Sequence, residues 1–217
     1  MPGRTPLWPQ SLSEAEEAAC ARFLRPADAE LCREARFLLR HTLSGLLGVE
    51  PRAVEFRLRA GGKPELACPG APPVQFNLSH TRGMALLAVT MADGAELGID
   101  VESADRVVSA DLLAAVLAPA ERKEVLALPE AQRQAAFMHL WTLKEAVVKA
   151  AGLGLAAPVE QIVFDLAETR LLAVPPSLGA VPDYTVRRIA LPNPYCAALA
   201  VLDRKRRPVV VELRPPL

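Results

Sequence analysis

The chain has 217 residues, and 25 lysines and arginines balance 25 aspartates and glutamates, so its formal charge is zero. At roughly 100–200 residues per domain, that length admits one large domain or two small ones. Hydrophobic residues make up 51% and charged residues 23%, which excludes intrinsic disorder for the bulk of the chain. The balanced charge supplies no global field for nucleic acid or an anionic membrane, and aromatics at 5% are too sparse for a base-stacking platform. Nine of the 20 prolines precede residue 74 and nine lie from 158 onward, leaving only Pro119 and Pro129 between. Because proline breaks helix interiors, regular structure runs longest in the middle third. Cys20, Cys32, Cys68 and Cys196 form no C-x-x-C pair; this excludes a zinc ribbon and reads as a reduced, intracellular chain. Met1–Gln10 lacks the apolar stretch of a signal peptide. The longest apolar runs, Met84–Val89 and Tyr195–Leu202, fall short of the ~20 residues of a spanning helix. The expectation is a cytoplasmic protein without membrane or nucleic-acid partners.

In chain order, Ser11–Phe23 reads as a helix capped by Ser11 or Ser13. Ala27–Leu47 carries Leu31, Ala35, Leu38, Leu39, Leu43 and Leu46 at spacings of three and four, an amphipathic helix closed by Gly48. Ala53–Arg59 alternates apolar and charged residues, as a half-buried strand does, and the turn Gly61-Gly62 with Lys63-Pro64 follows. Val74–Leu78, Ala85–Met91 and Leu97–Val101 are predicted strands. Ser109–Leu117, Pro119–Leu128 and Glu130–Ala151 are predicted helices, the last stopped by Gly152. Strands are expected near Gln161–Leu166, Asp183–Ala190 and Ala197–Leu202. Phe37–Phe56 and Ala146–Phe164 share one pattern of helix end, Leu-Gly, proline and strand, a repeat offset by about half the chain. Such a repeat implies two α+β lobes with a site between them, where ligand clefts commonly lie.

Three clusters carry chemistry. In Gly98-Ile99-Asp100-Val101-Glu102, residues i and i+2 of a strand face the same way, so Asp100 and Glu102 project together. They are either two solvated acids or hard oxygen ligands for Mg²⁺ or Mn²⁺. In Trp141-Thr142-Leu143-Lys144-Glu145-Ala146-Val147-Val148-Lys149, helical spacing puts Trp141, Glu145 and Lys149 on one stripe. That stripe is either a solvated Glu–Lys pair or a carboxylate flanked by ammoniums that can hold phosphate oxygens. Phe76-Asn77-Leu78-Ser79-His80 ends a strand in a polar pair at a loop, where binding groups concentrate. His41 and His139 lie inside apolar helices and read as structural. No Gly-rich phosphate loop and no G-x-S-x-G elbow is present.

Taken in order, F-N-L-S-H, G-I-D-V-E and W-T-L-K-E-A-V-V-K, with Gly62-Lys63-Pro64 as a fourth piece, resemble the 4′-phosphopantetheinyl transferases of the long, surfactin-synthetase-activating type over roughly residues 29–166. The resemblance implies a monomer of two similar pseudo-twofold-related α+β lobes, 1–102 and 103–217, with the site at their interface. It implies transfer of 4′-phosphopantetheine from coenzyme A to a serine of an apo acyl or peptidyl carrier protein, including carriers of secondary-metabolite biosynthesis, with adenosine 3′,5′-bisphosphate leaving. By similarity, Asp100, Glu102 and Glu145 hold Mg²⁺ (or Mn²⁺), and Glu145, Lys149 and His80 are the catalytic residues. Lys63, Pro64, Ser79, His80, Lys144 and Lys149 bind coenzyme A. The family's basic residue in the helix before G-K-P falls on Leu31, so one or two of the nearby Arg33, Arg36 and Arg40 are implied at the 3′-phosphate. Other classes that share these residues are a non-catalytic coenzyme A or carrier binder and a Mg²⁺-dependent phosphohydrolase. Arg204-Lys205-Arg206-Arg207 reads as a solvated turn.

Overall fold

Two long helices carry the largest apolar stripes in the computed structural model, which describes residues 10–59, 61–67, 70 and 72–213. Each spans 22 residues, α2 over Pro26–Leu47 and α5 over Glu130–Ala151. Each starts at a proline, Pro26 at the first helical turn and Pro129 as the cap. Each ends on a left-handed glycine, Gly48 at φ 67° and Gly152 at φ 74°, the conformation only glycine adopts without a Cβ penalty. Leu39 and Leu43 of α2 pack with Val54, Val74 and Phe76. Phe137, Leu140, Leu143, Ala146 and Val147 of α5 centre a second, larger core.

A 3₁₀ turn and two hairpins follow each long helix. After α2 come the turn Pro51–Ala53, the hairpin β1 (Phe56–Leu58) with β2 (Pro64–Leu66), and the hairpin β3 (Gln75–Thr81) with β4 (Met84–Thr90). After α5 come Val159–Gln161, β6 (Val163–Phe164) with β7 (Leu171–Ala173), and β8 (Tyr184–Ile189) with β9 (Tyr195–Leu202). Between the halves lie β5 (Glu96–Ser103) and the helices α3 (Ala110–Val116, capped by Ser109) and α4 (Pro119–Ala127). The α+β class and most expected elements hold, with β2 and β7 additional because three-residue strands leave too little periodicity to read.

Strand β5 runs to Ser103. It pairs antiparallel with β9 along its whole length, Asp100 opposite Ala198, in a three-stranded sheet ordered β5-β9-β8. Helix α5 crosses this sheet so closely at Gly98 that a Cβ there would overlap the Ala146 carbonyl and the Ala150 amide. The halves meet again at Gly61, where a Cβ would overlap the Gly152 carbonyl oxygen. The sheet's other face holds Leu97, Ile99, Leu199 and Val201, with Val209 of the C-terminal stretch packed against them. Lys205, Arg206 and Arg207 pair with Asp93, Asp183 and Asp203, so this cluster is the expected turn.

Helix α1 is shorter than expected, Glu14–Cys20, because Ser13 closes a capping box with Glu16. The reduced-cysteine expectation is corrected for one pair: Cys20 and Cys32 form a disulfide, with Cα atoms 5.6 Å apart. The turn between α1 and α2 folds these distant positions together, which sequence spacing alone does not reveal. Cys196 is free and buried; Cys68 and most of the Met1–Gln10 segment lie outside the described residues. No described helix is long and apolar enough to cross a membrane.

Candidate active site

The site forms along the edge of β5 that does not pair with β9. A strand edge leaves amides and carbonyls that must find partners, and side chains from three elements supply them here. The Ile99 amide donates to Asn77 Oδ1 at 2.7 Å and the Val101 amide to Ser79 Oγ at 3.3 Å. Lys63 Nζ donates to the Leu97 carbonyl at 2.9 Å, and Lys149 Nζ to the Ile99 carbonyl at 3.3 Å. Asn77 is a further residue of the site, and its signal in the sequence is an amide two residues before Ser79, on the same face of the strand.

Asp100, Ser79 and Lys149 interlock. Ser79 Oγ donates to Asp100 Oδ1 at 3.0 Å, and Lys149 Nζ donates to the same oxygen at 2.6 Å and to Ser79 Oγ at 3.2 Å. Asp100 is 4% exposed, and its other oxygen, Oδ2, is buried with no partner. Glu145, half-buried one turn before Lys149, has its carboxyl pushed up by burial and by the Asp100 carboxylate, with a smaller push from Glu102 and an opposing pull from Lys149. Burial, then the cations Arg36 and Lys149, hold the His80 imidazole below its ordinary value, although the residue reaches solvent. The structure therefore brings Ser79, Asp100 and Lys149 together, with Glu145 in the field of Asp100 and His80 in the field of Arg36 and Lys149.

Other expected residues are placed elsewhere. Among the described residues no group of three or more His, Cys, Asp or Glu side chains converges to hold a metal ion. Of the expected three-carboxylate set, Glu102 has Oε1 on Arg106 at 2.7 Å and accepts from Thr81 at Oε2 at 3.2 Å. Asp100 and Glu145 fit a divalent cation by their chemistry: an unpartnered buried carboxylate oxygen beside a second, repelled carboxylate is what such an ion relieves. Mg²⁺ also commonly takes only one or two carboxylates together with substrate phosphates.

Lys144 is a correction. It is fully buried, paired with Glu121 at 2.6 Å and bonded to the Val116 carbonyl at 2.8 Å. Its turn of about 100° from Glu145 points it away from the cleft. Lys63 is nearly as buried, with Nζ also on Glu96 at 2.9 Å, and burial lowers its pKa; Pro64 beside it opens β2, opposite Leu58. Arg40 is buried and fully engaged, on Glu16 at 2.7 Å and the carbonyls of Pro51 and Val54 at 2.7 and 3.0 Å, and so is corrected as a phosphate ligand. Arg33 pairs with Glu17 at 2.8 Å. Of the three arginines, Arg36 is the one whose charge holds the His80 imidazole down.

Two family models and several known proteins match this chain. Residues 96–200 match the family model described as the 4′-phosphopantetheinyl transferase superfamily, and residues 7–92 match the model of the 4′-phosphopantetheinyl transferase N-terminal region. The 4′-phosphopantetheinyl transferase HetI of Nostoc is 35% identical over 193 residues, 88% of this chain and 78% of that protein. The 4′-phosphopantetheinyl transferase Sfp of Bacillus subtilis is 27% identical over 149 residues, 69% of this chain and 64% of that protein. This chain therefore spans a little under two thirds of the Bacillus relative's length. The crystal structure of Thermotoga maritima holo-[acyl-carrier-protein] synthase superposes with a TM-score of 0.41 at 24% identity, over 50% of this chain and 62% of that one. Family models along both halves, and a relative matched over most of both chains, place this chain in the 4′-phosphopantetheinyl transferase superfamily, among its Sfp-like members.

Proposed function

We propose that the chain transfers 4′-phosphopantetheine from coenzyme A to a serine of an apo acyl or peptidyl carrier protein, leaving adenosine 3′,5′-bisphosphate. The observation that carries this reading is the Asp100–Ser79–Lys149 cluster with Glu145 beside it and Asp100 Oδ2 unpartnered. Phosphoryl transfer asks for positioning and charge stabilisation rather than a covalent intermediate. The Lys149 ammonium sits at the site's centre, and its two longer contacts, to Ser79 and the Ile99 carbonyl, are those a pyrophosphate oxygen replaces. Glu145, held partly desolvated, takes the proton of the carrier serine. The serine oxygen then bonds to the β-phosphorus as that phosphorus parts from the bridging oxygen, and the leaving bisphosphate carries the electron pair. The chemistry supplied by Mg²⁺ or Mn²⁺ on Asp100 and Glu145 is neutralisation of the pyrophosphate charge. Ser79 orients Asp100, and His80 with Arg36 faces the nucleotide end.

The matched order of long helix, 3₁₀ turn and two hairpins supports two lobes related by a pseudo-twofold, divided between β4 and β5 rather than after Glu102. We infer that they act as a single monomer. The test is incubation with coenzyme A, Mg²⁺ and an apo carrier, read by carrier mass. A gain of one phosphopantetheine is expected, with loss of at least about 100-fold in Glu145→Gln, the scale of general base catalysis. No gain across several apo carriers would overturn the reading.

A further inference from the structure

We propose that the cavity between α5, the β6–β7 turn and β8 binds an apolar α-amino acid, with its carboxylate on Arg188, its ammonium on Asp165 and its side chain on a leucine floor. No residue lining this cavity belongs to the cluster around Asp100, so the proposal stands apart from the transfer reading.

The cavity holds about 240 Å³. A void of about 150 Å³ already accepts benzene, so this one suits a ligand the size of leucine and is too small for a nucleotide. Helix α5 lines one side between Gln132 and Leu143, before Glu145 and Lys149. The turn after β6 lines another with Asp165 and Thr169, and β8 closes it with Arg188. Leu140 and Leu143 are 1% and 2% exposed, Asp165 is half-buried, and Arg188 reaches solvent. An apolar floor below a few placed charges is the arrangement of a small-molecule site.

Both charges are uncommitted. The register of β8 sets Arg188 opposite Ala198, on the sheet face that α5 covers. Among the described residues its guanidinium meets no carboxylate; Nη2 lies 2.9 Å from His139 Nε2 and 3.2 Å from Nδ1. Burial and the Arg188 charge hold the His139 imidazole below its ordinary value, so at neutral pH the ring leaves the guanidinium charge uncompensated. Asp165 Oδ1 accepts from the Glu168 amide at 2.8 Å, and its carboxylate pairs with no cation among the described residues. Opposite charges that share a cavity without pairing suit a ligand that carries both. A simple carboxylate would meet the Asp165 charge, and a simple amine the Arg188 charge. Thr169, in the same turn, holds φ at 58°, a costly conformation for a β-branched residue. Strain of this kind gathers at functional sites, and here the Thr169 amide donates to the Asp165 carbonyl at 2.9 Å.

The test is calorimetry of the full chain with leucine up to about 10 mM, the weak end of what a ligand this small attains, together with NMR of the three histidines. Saturable binding is expected, with the His139 ring signals moving and those of His80 unmoved. Two analogues each lack one charge: 4-methylpentanoate has no ammonium and 3-methylbutylamine no carboxylate. Each should bind at least about tenfold more weakly than leucine, the scale of one charge-assisted contact. Arg188→Gln should lose a similar factor with wild-type melting retained, and so should Asp165→Asn, which keeps an oxygen for the Glu168 amide. If either variant does not fold, the analogues on the wild type decide. No leucine binding, equal affinity for leucine and either analogue, movement of His80 in place of His139, or undiminished binding by a folded Arg188→Gln variant would overturn the proposal. Each of those results would leave the transfer reading standing.

Discussion

His80 and Lys144 were both expected in the site, and their surroundings divide them. His80 keeps its imidazole below the ordinary value because burial and the cations Arg36 and Lys149 disfavour its charged form, against a smaller pull from Asp28. The unfolded chain therefore takes up this proton first. The stability His80 contributes is present above pH ~6.5 and lost as pH falls through the lower folded value. A bound polyanion reverses the local field, so adding adenosine 3′,5′-bisphosphate should raise the His80 pKa in an NMR titration; an unmoved value would remove His80 from the anion subsite. Lys144 shows burial deciding the other way. Its ammonium is paired with Glu121, which also accepts from the amides of Ala118 and Phe164, so one ion pair joins α4, α5 and β6. Lys144→Met leaves Glu121 buried and unpaired and should cost about 3–5 kcal/mol in urea unfolding. A melt unchanged from wild type would mean that the pair does not hold these elements. The motif W-T-L-K-E-A shows both residues but not which faces the cleft, because that depends on what packs around α5.

The informative element is β5. Its alternation is plain in the sequence, with Asp100 and Glu102 on one face and Ile99 and Val101 on the other, and the structure keeps that alternation. Its partner was not legible: strand pairing is non-local, and nothing in residues 96–103 specifies β9 over β4. Pairing with β9 leaves the other edge open, and Lys63, Asn77, Ser79 and Lys149 converge there because the edge's backbone groups must be bonded. The contact of α5 on β5 also depends on Gly98, whose missing Cβ admits backbone atoms of Ala146 and Ala150. Backbone cannot swing aside as a side chain does, so Gly98→Ala should destabilise by about 2–3 kcal/mol and displace Lys149 from Asp100. Thermal melting and transfer activity should fall together; a Gly98→Ala protein with wild-type melting would refute the close approach.

At the scale of the whole molecule, the sheet β5-β9-β8 has α5 on one face, and on the other Leu86 and Ala88 of β4, Ala92 and the C-terminal stretch. Val209 packs on Leu97, Ile99, Leu199 and Val201, and Arg207 latches the stretch to Asp203 at 2.6 Å and to the Asp93 carbonyl at 2.8 Å. Truncation after Arg207 should lower stability by about 1–3 kcal/mol, the scale of uncovering one or two apolar side chains, and raise dye binding to the exposed face. Carrier modification should persist, since Asp100 and Glu145 are approached from the other face; a truncated chain that melts like the full one would show that the stretch covers nothing. The sequence by itself determined the long helices with their glycine stops, most of the strands, and the ordered motifs that mark the family. Those are local, because spacing of three and four, alternation of two and the freedom of glycine are properties of adjacent residues. Only the tertiary structure decided that Cys20 meets Cys32, that Glu102 turns to Arg106, that Lys144 is sealed inside, and that Arg36 keeps an unpartnered Nε where Arg40 is fully engaged. Each of those outcomes is a competition among several possible partners, decided by which groups folding brings within a hydrogen bond's length.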